Sequence, residues 1–285
     1  MRLLARTTAA LLLLLASVTT HSVRAQELRE QTADEQVKQA LNRLAFGARP
    51  GDAERVRAMG VDRWIAMQLS PSSIDDRATD QFVAQFPVLA MSPDKLLAEY
   101  PQPQQLIREK RAQMAREGQP VARDSAGGKL AGLDLSRDDS MRIRQAGRLS
   151  RQLLTELQTA KVARAVMSDR QLEEVMVDFW ENHFTVFAGK GPERYFLGEF
   201  ERKSIRPHAL GKFRDLLGAV AKSPAMLYYL DNWESTVDSG RPSLVARAQP
   251  RGRRRFAMPN VATRARPKGL NENYGRELLE LHTLG

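Results

Sequence analysis

Beyond residue 31 the apolar residues of this chain return every three or four positions, and no stretch of useful length alternates apolar with polar. That period allows helices and disfavours sheets. In "EQVKQALNRLAFG", Val37, Ala40, Leu41, Leu44 and Ala45 share one face, with Thr32 or Asp34 placed to cap the helix. "RPGDAERVRAMG" offers a turn, a cap at Asp52 and a stop at Gly60; "VDRWIAMQLSP" closes at Pro71. Further helices are expected through "PQQLIREKRAQMARE", from Met141 through "RLSRQLLTELQTAKVARAVM", and through "RQLEEVMVDFWENHFTVF", "PERYFLGEFERKSI" and "HALGKFRDLLGAVAKS". The expected fold is therefore all-α, an irregular multi-helix bundle with two flexible insertions.

Residues 1–25 stand apart. A basic start, the short apolar run "AALLLLLASV", and Val23 and Ala25 at the small-residue positions read as a secretory signal peptide cut after Ala25. The run is shorter than the roughly 20 residues a membrane span needs, so no transmembrane anchor is expected. The chain has no cysteine, which removes disulfides, thiol catalysis and zinc thiolates. The expected location is periplasmic or secreted.

After the leader, residues 26–116 form an N-terminal helical part and 117–140 a flexible loop rich in Gly, Ser and Asp. Residues 141–238 form a central helical core, 239–268 a basic disordered loop, and 269–285 the start of a C-terminal helical part. The formal charge of +10 is concentrated in the basic loop: from Ser239 to Asn271 there is no acid, against nine Arg and Lys and four Pro. Contact with anionic envelope polymers is compatible with that charge. Nucleic acid is not an expected partner of an exported chain whose basic stretch lacks interleaved aromatics.

Nucleotide-binding loops, serine-hydrolase elbows and zinc-protease motifs are absent from the sequence. Of the three histidines beyond the leader, His183 falls on an apolar stripe with Leu172, Met176, Phe179, Trp180 and Phe187. Two readings stand for it: a satisfied core histidine, the commoner fate, or a ligand or acid–base group. Asp178, Glu181 and Asn182 lie on the polar flank, as plain surface or as a face for another helix.

"NENYGRELLELHTLG" places Asn271, Tyr274, Leu278, Leu281 and His282 on one side and Asn273, Glu277 and Glu280 on another, with Arg276 nearby. Specific polar groups on both sides suggest a buried helix whose carboxylates need partners. Three remain open: Arg276, a divalent cation on Glu277, Glu280 and Asn273, or one carboxyl held protonated as an acid–base pair requires. His183 and His282 are the candidate catalytic groups.

"LNRLAFGARPGDAERVRAMGVDRWIAMQLSP", "FWENHFTVF", "AMLYYLDNWES" and "GLNENYGRELLELHTLG" resemble, in order, the landmarks of the bacterial domain of unknown function 1800 family. The resemblance implies an exported, mainly helical protein and brings no catalytic residues. It implies a neighbour too: a secreted, sulfatase-like protein of the domain of unknown function 1501 family, encoded nearby. Relatives continue past "ELHTLG", so this chain is expected to be a truncated piece. Two functions follow as expectations: a scaffold or partner of the sulfatase-like protein, or a metal-dependent hydrolase acting on an envelope or extracellular polymer.

Overall fold

The computed structural model describes residues 31–118, 135–236 and 269–284. The leader, most of the 117–140 loop and the whole of the 239–268 loop lie outside these residues. Among the described residues the chain is all-α, with 3-10 and π turns between helices and no strand. Among the described residues, no helix is long and apolar enough to cross a membrane.

The chain divides after Ser73 into two compact units. The first holds α1 (Ala33–Leu44), α2 (Asp52–Met59) and α3 (Val61–Gln68). Thr32 caps α1 in a reciprocal box: its hydroxyl accepts the Glu35 N–H, and the Glu35 carboxylate accepts the Thr32 N–H at 2.8 Å. Val37, Ala40 and Leu41 then pack on Val56 of α2 and Trp64 of α3. Gly60 ends α2 and begins α3 at φ 90°, ψ 136°, a geometry that a side chain would strain. Asp52 was expected to cap α2, but Gly51 holds that position and Asp52 turns back to accept the Arg49 N–H at 2.8 Å. Burial pushes its pKa up, and hydrogen bonds from Arg55 and Arg49 more than offset this, leaving it lowered.

The second unit is organised by α7 (Arg137–Met167), 31 residues long. Before it come α4 (Arg77–Val83), α5 (Pro93–Glu99) and α6 (Pro103–Arg116). α7 turns at Ser168 into α8 (Gln171–His183), which runs back along it. Buried Asp76 fixes that turn by accepting from the Ser168 hydroxyl at 2.6 Å, the Asp169 N–H at 3.1 Å and the Thr79 hydroxyl at 2.9 Å.

The chain then passes through a 3-10 turn (Glu193–Tyr195), one turn of helix α9 (Leu197–Glu199), a π segment (Phe200–Ile205) and a second 3-10 turn (Arg206–His208). Helices α10 (Phe213–Ala221), α11 (Pro224–Tyr229) and α12 (Glu272–Leu279) complete the unit, and α12 runs into a second π segment, Glu280–Leu284. One core joins Val177, Phe184, Phe200, Ile205, Leu216 and Met226; another joins Val88, Leu96, Tyr100, Leu153 and Tyr195. Each fully buried Leu contributes about 1.5–3 kcal/mol.

The expected continuation of α8 to Phe187 is not found. α8 stops at His183, and the Thr185 hydroxyl donates to the Asn182 carbonyl. Phe184 is thereby turned fully into the core, while Phe179 and Phe187 are left 52% and 64% exposed.

Candidate functional site

Two places in the second unit gather polar side chains. The first is the corner between the C-terminal end of α8 and α12. Asn271 caps α12 by accepting the Tyr274 N–H at 3.2 Å, and its amide donates to the Leu230 carbonyl at 2.7 Å. The Tyr274 hydroxyl donates to the Ala221 carbonyl. These bonds dock the helix by one edge. No residue of α12 itself is buried, and Leu279 and Leu281 are 62% and 60% exposed, so the expected buried helix is a surface helix instead.

The two candidate catalytic histidines do meet here. His183, expected on an apolar stripe, is exposed. Its Nε2 lies 3.2 Å from the His282 carbonyl oxygen, which can only accept, so this nitrogen carries the hydrogen. The His282 ring is only 7% exposed and packs on Phe184 at 5.2 Å. Burial, and then His183, lower its pKa, with Glu277 opposing. Its Nδ1 has no hydrogen-bond partner among the described residues.

The candidate cation ligands do not converge. Asn273 accepts from Arg276 at 2.8 Å, and Glu280 lies 3.9 Å from the same guanidinium, both on the exposed side. Glu277 is half-buried and its charge acts on His282. Among the described residues no three His, Asp or Glu side chains form a group able to hold a metal ion.

The second place is an ion ladder between α7, α8 and the first π segment. Asp178 and Glu181, on the polar flank of α8, do bind another helix: Lys161 of α7 reaches them at 2.7 and 2.8 Å. Deeper in, Arg206 forks onto Glu174 at 2.7 and 2.9 Å. Its guanidinium also donates to Glu201 Oε1 at 2.7 Å, where Arg164 adds a bond of 3.0 Å.

Glu201 and Arg206 are five residues apart, a spacing that an α-helix turns away from one side. Here the Arg206 N–H bonds the Glu201 carbonyl, and this i to i+5 link stacks the two side chains. Sequence reasoning at a period of 3.6 misses the pair. The available signal was weaker: Glu174, Asp178 and Glu181 recur at helical spacing, as do Lys161 and Arg164.

The ladder separates two carboxylates electrostatically. Burial pushes Glu201 up, but Arg206 and Arg164 outweigh it and hold the carboxyl below its usual range. Burial, and then the charge of Glu201, push Glu181 up against the pull of Lys161. Both line a pocket of about 270 Å³ with Lys161, Gln158, Asn182, Thr185 and an apolar wall that includes Leu197 and Phe200.

No curated protein and no solved structure matches the chain. The family described as "Protein of unknown function (DUF1800)" matches residues 39–285, which takes in every element named above except the first turns of α1. The chain belongs to that family.

Proposed function

We propose that the chain is an exported bacterial protein that works by association, as a scaffold or partner of a secreted sulfatase-like protein encoded nearby. One observation carries this reading. Asn271, Tyr274 and Arg276 of the C-terminal motif are taken up by bonds within the chain, while Leu279 of α12, Leu281 of the π segment after it and Phe179 of α8 stay in solvent. The leader pattern of residues 1–25 supports export. The test is co-purification of the full chain with the sulfatase-like protein. Stable capture that Leu281→Ser and Phe179→Ser weaken at least tenfold is expected; two proteins that never associate would end the reading.

A second reading, a hydrolase acting on an envelope or extracellular polymer, draws on a different observation. Glu181 and Glu201 share one pocket and are displaced in opposite directions, the pattern of a general acid beside a base. A divalent cation at Asn273, Glu277 and Glu280 would have to displace Arg276 from two of them. Release of soluble sugar or peptide from purified envelope material, lost in Glu181→Gln, is the expected result on this reading. Unchanged release in that variant would remove it.

A further inference from the structure

We infer that the pocket between α7, the end of α8 and the first π segment binds a neutral polyhydroxylated ligand of about one sugar ring. The inference is independent of the association proposed above.

The argument begins with unused hydrogen-bonding capacity. Glu201 takes all three of its guanidinium donors on Oε1: Arg164 Nη1 at 3.0 Å, Arg206 Nη2 at 2.7 Å and Arg206 Nε at 3.2 Å. Its Oε2 receives no protein donor among the described residues, and it is not among the sealed-off oxygens. Glu181 repeats the pattern, with Lys161 on Oε2 at 2.8 Å and nothing from the described protein on Oε1. The Asn182 side-chain amide donates to Asp178, which leaves its Oδ1 to accept. The Thr185 hydroxyl donates to the Asn182 carbonyl and keeps its lone pairs. Lys161 spends two of its three N–H groups on Asp178 and Glu181. The lining therefore presents several acceptors and at least one donor, each fixed by a bond on its far side.

Charge then selects the ligand class. Lys161 bridges Asp178 and Glu181, and Arg164 and Arg206 hold Glu201. An anion would meet two carboxylates. A cation would meet the Lys161 ammonium beside Glu181 and the two guanidinium groups behind Glu201. Hydroxyl groups donate and accept without bringing charge, and those that meet an ionised partner gain the stronger, charge-assisted bond. Leu197 and Phe200 supply an apolar face for the C–H side of a ring. At about 270 Å³ the space lies just below the usual range for drug-sized ligands, roughly 300–1,000 Å³, and suits one ring rather than a chain of them.

The test is saturation-transfer NMR on the full chain with one ring in three charge states: D-glucose, D-glucosamine and D-glucuronate. Glucose is expected to bind, and the charged sugars about tenfold more weakly. Glu181→Gln keeps the shape and is expected to weaken glucose about tenfold. Thr185→Trp, at an exposed rim position, is expected to abolish binding while leaving the melting temperature within a few degrees. The inference is overturned if no sugar shows transfer, if glucosamine or glucuronate binds as well as glucose, or if glucose binding survives Thr185→Trp. If Thr185→Trp fails to fold, Glu181→Gln alone decides: unchanged affinity overturns the inference.

Discussion

Two carboxylates in the second unit have met opposite fates. Glu201 accepts from two arginines and is held ionised. Glu193, in the 3-10 turn before α9, is 0% exposed, and neither of its oxygens has a hydrogen-bond partner among the described residues. Burial pushes its pKa up to about 8; Lys190 pulls against this and Asp231 adds to it. The Glu201 side chain keeps 14% exposure and Glu193 keeps none, but what separates the two is counter-charge. Glu201 sits on a segment whose wide turn stacks its own arginine above it, while Glu193 sits on a tight turn that brings none. A buried carboxyl with counter-charge keeps its ion; one without keeps its proton.

The largest test of this contrast converts one into the other. Arg206→Ala leaves Glu201 with Arg164 alone and buried Glu174 with no cationic partner among the described residues, and is expected to cost about 3–5 kcal/mol in urea unfolding, because a charge is buried without its partner. Next is the pH dependence of Glu193. Folding raises its pKa from 4.5 to about 8, so between those values the folded chain keeps a proton that the unfolded chain has lost. Its contribution is fully present below pH 4.5 and is lost as pH rises toward 8. From pH 5 to 8 the loss is roughly 3 kcal/mol, and Glu193→Gln is expected to remove it, as unfolding curves across that range would record.

Arg164→Ala should cost less, about 1–2 kcal/mol, since Arg206 still holds Glu201. Equal losses for Arg164→Ala and Arg206→Ala would show that the fork onto Glu174 adds nothing. The smallest change is Lys161→Met. Lys161 is half-exposed and its pairs are screened, so less than about 1 kcal/mol is expected. By NMR titration the same variant should push Glu181 further up. No movement of Glu181 would detach it from the ladder.

The long-period elements were legible before the structure. Thr32 as cap, the face of Val37, Ala40 and Leu41, and the long reach of α7 all follow from local propensity and burial acting together. Helix ends were less legible, because α8 stops where Phe184 finds the core, and that is a tertiary fact. The meeting of His183 with His282 spans 99 residues and leaves no mark in either local pattern. The burial assigned to α12 failed for a different reason: polar residues on two sides fit a buried network, and they also fit a surface helix docked by one edge with Arg276 serving the other.

The π segment from Phe200 to Ile205 has a consequence in terms of insertion and deletion. It carries one residue more than an α-helix of the same reach. Deleting a single residue there would let the backbone close into an ordinary helix with tighter bonding, and would swing Arg206 through about 100°. The helix would gain locally while Glu174 and Glu201 lost their shared guanidinium. Such a deletion is expected to preserve helical circular dichroism and lower the melting temperature. In this segment a gap of one residue is more disruptive than most substitutions.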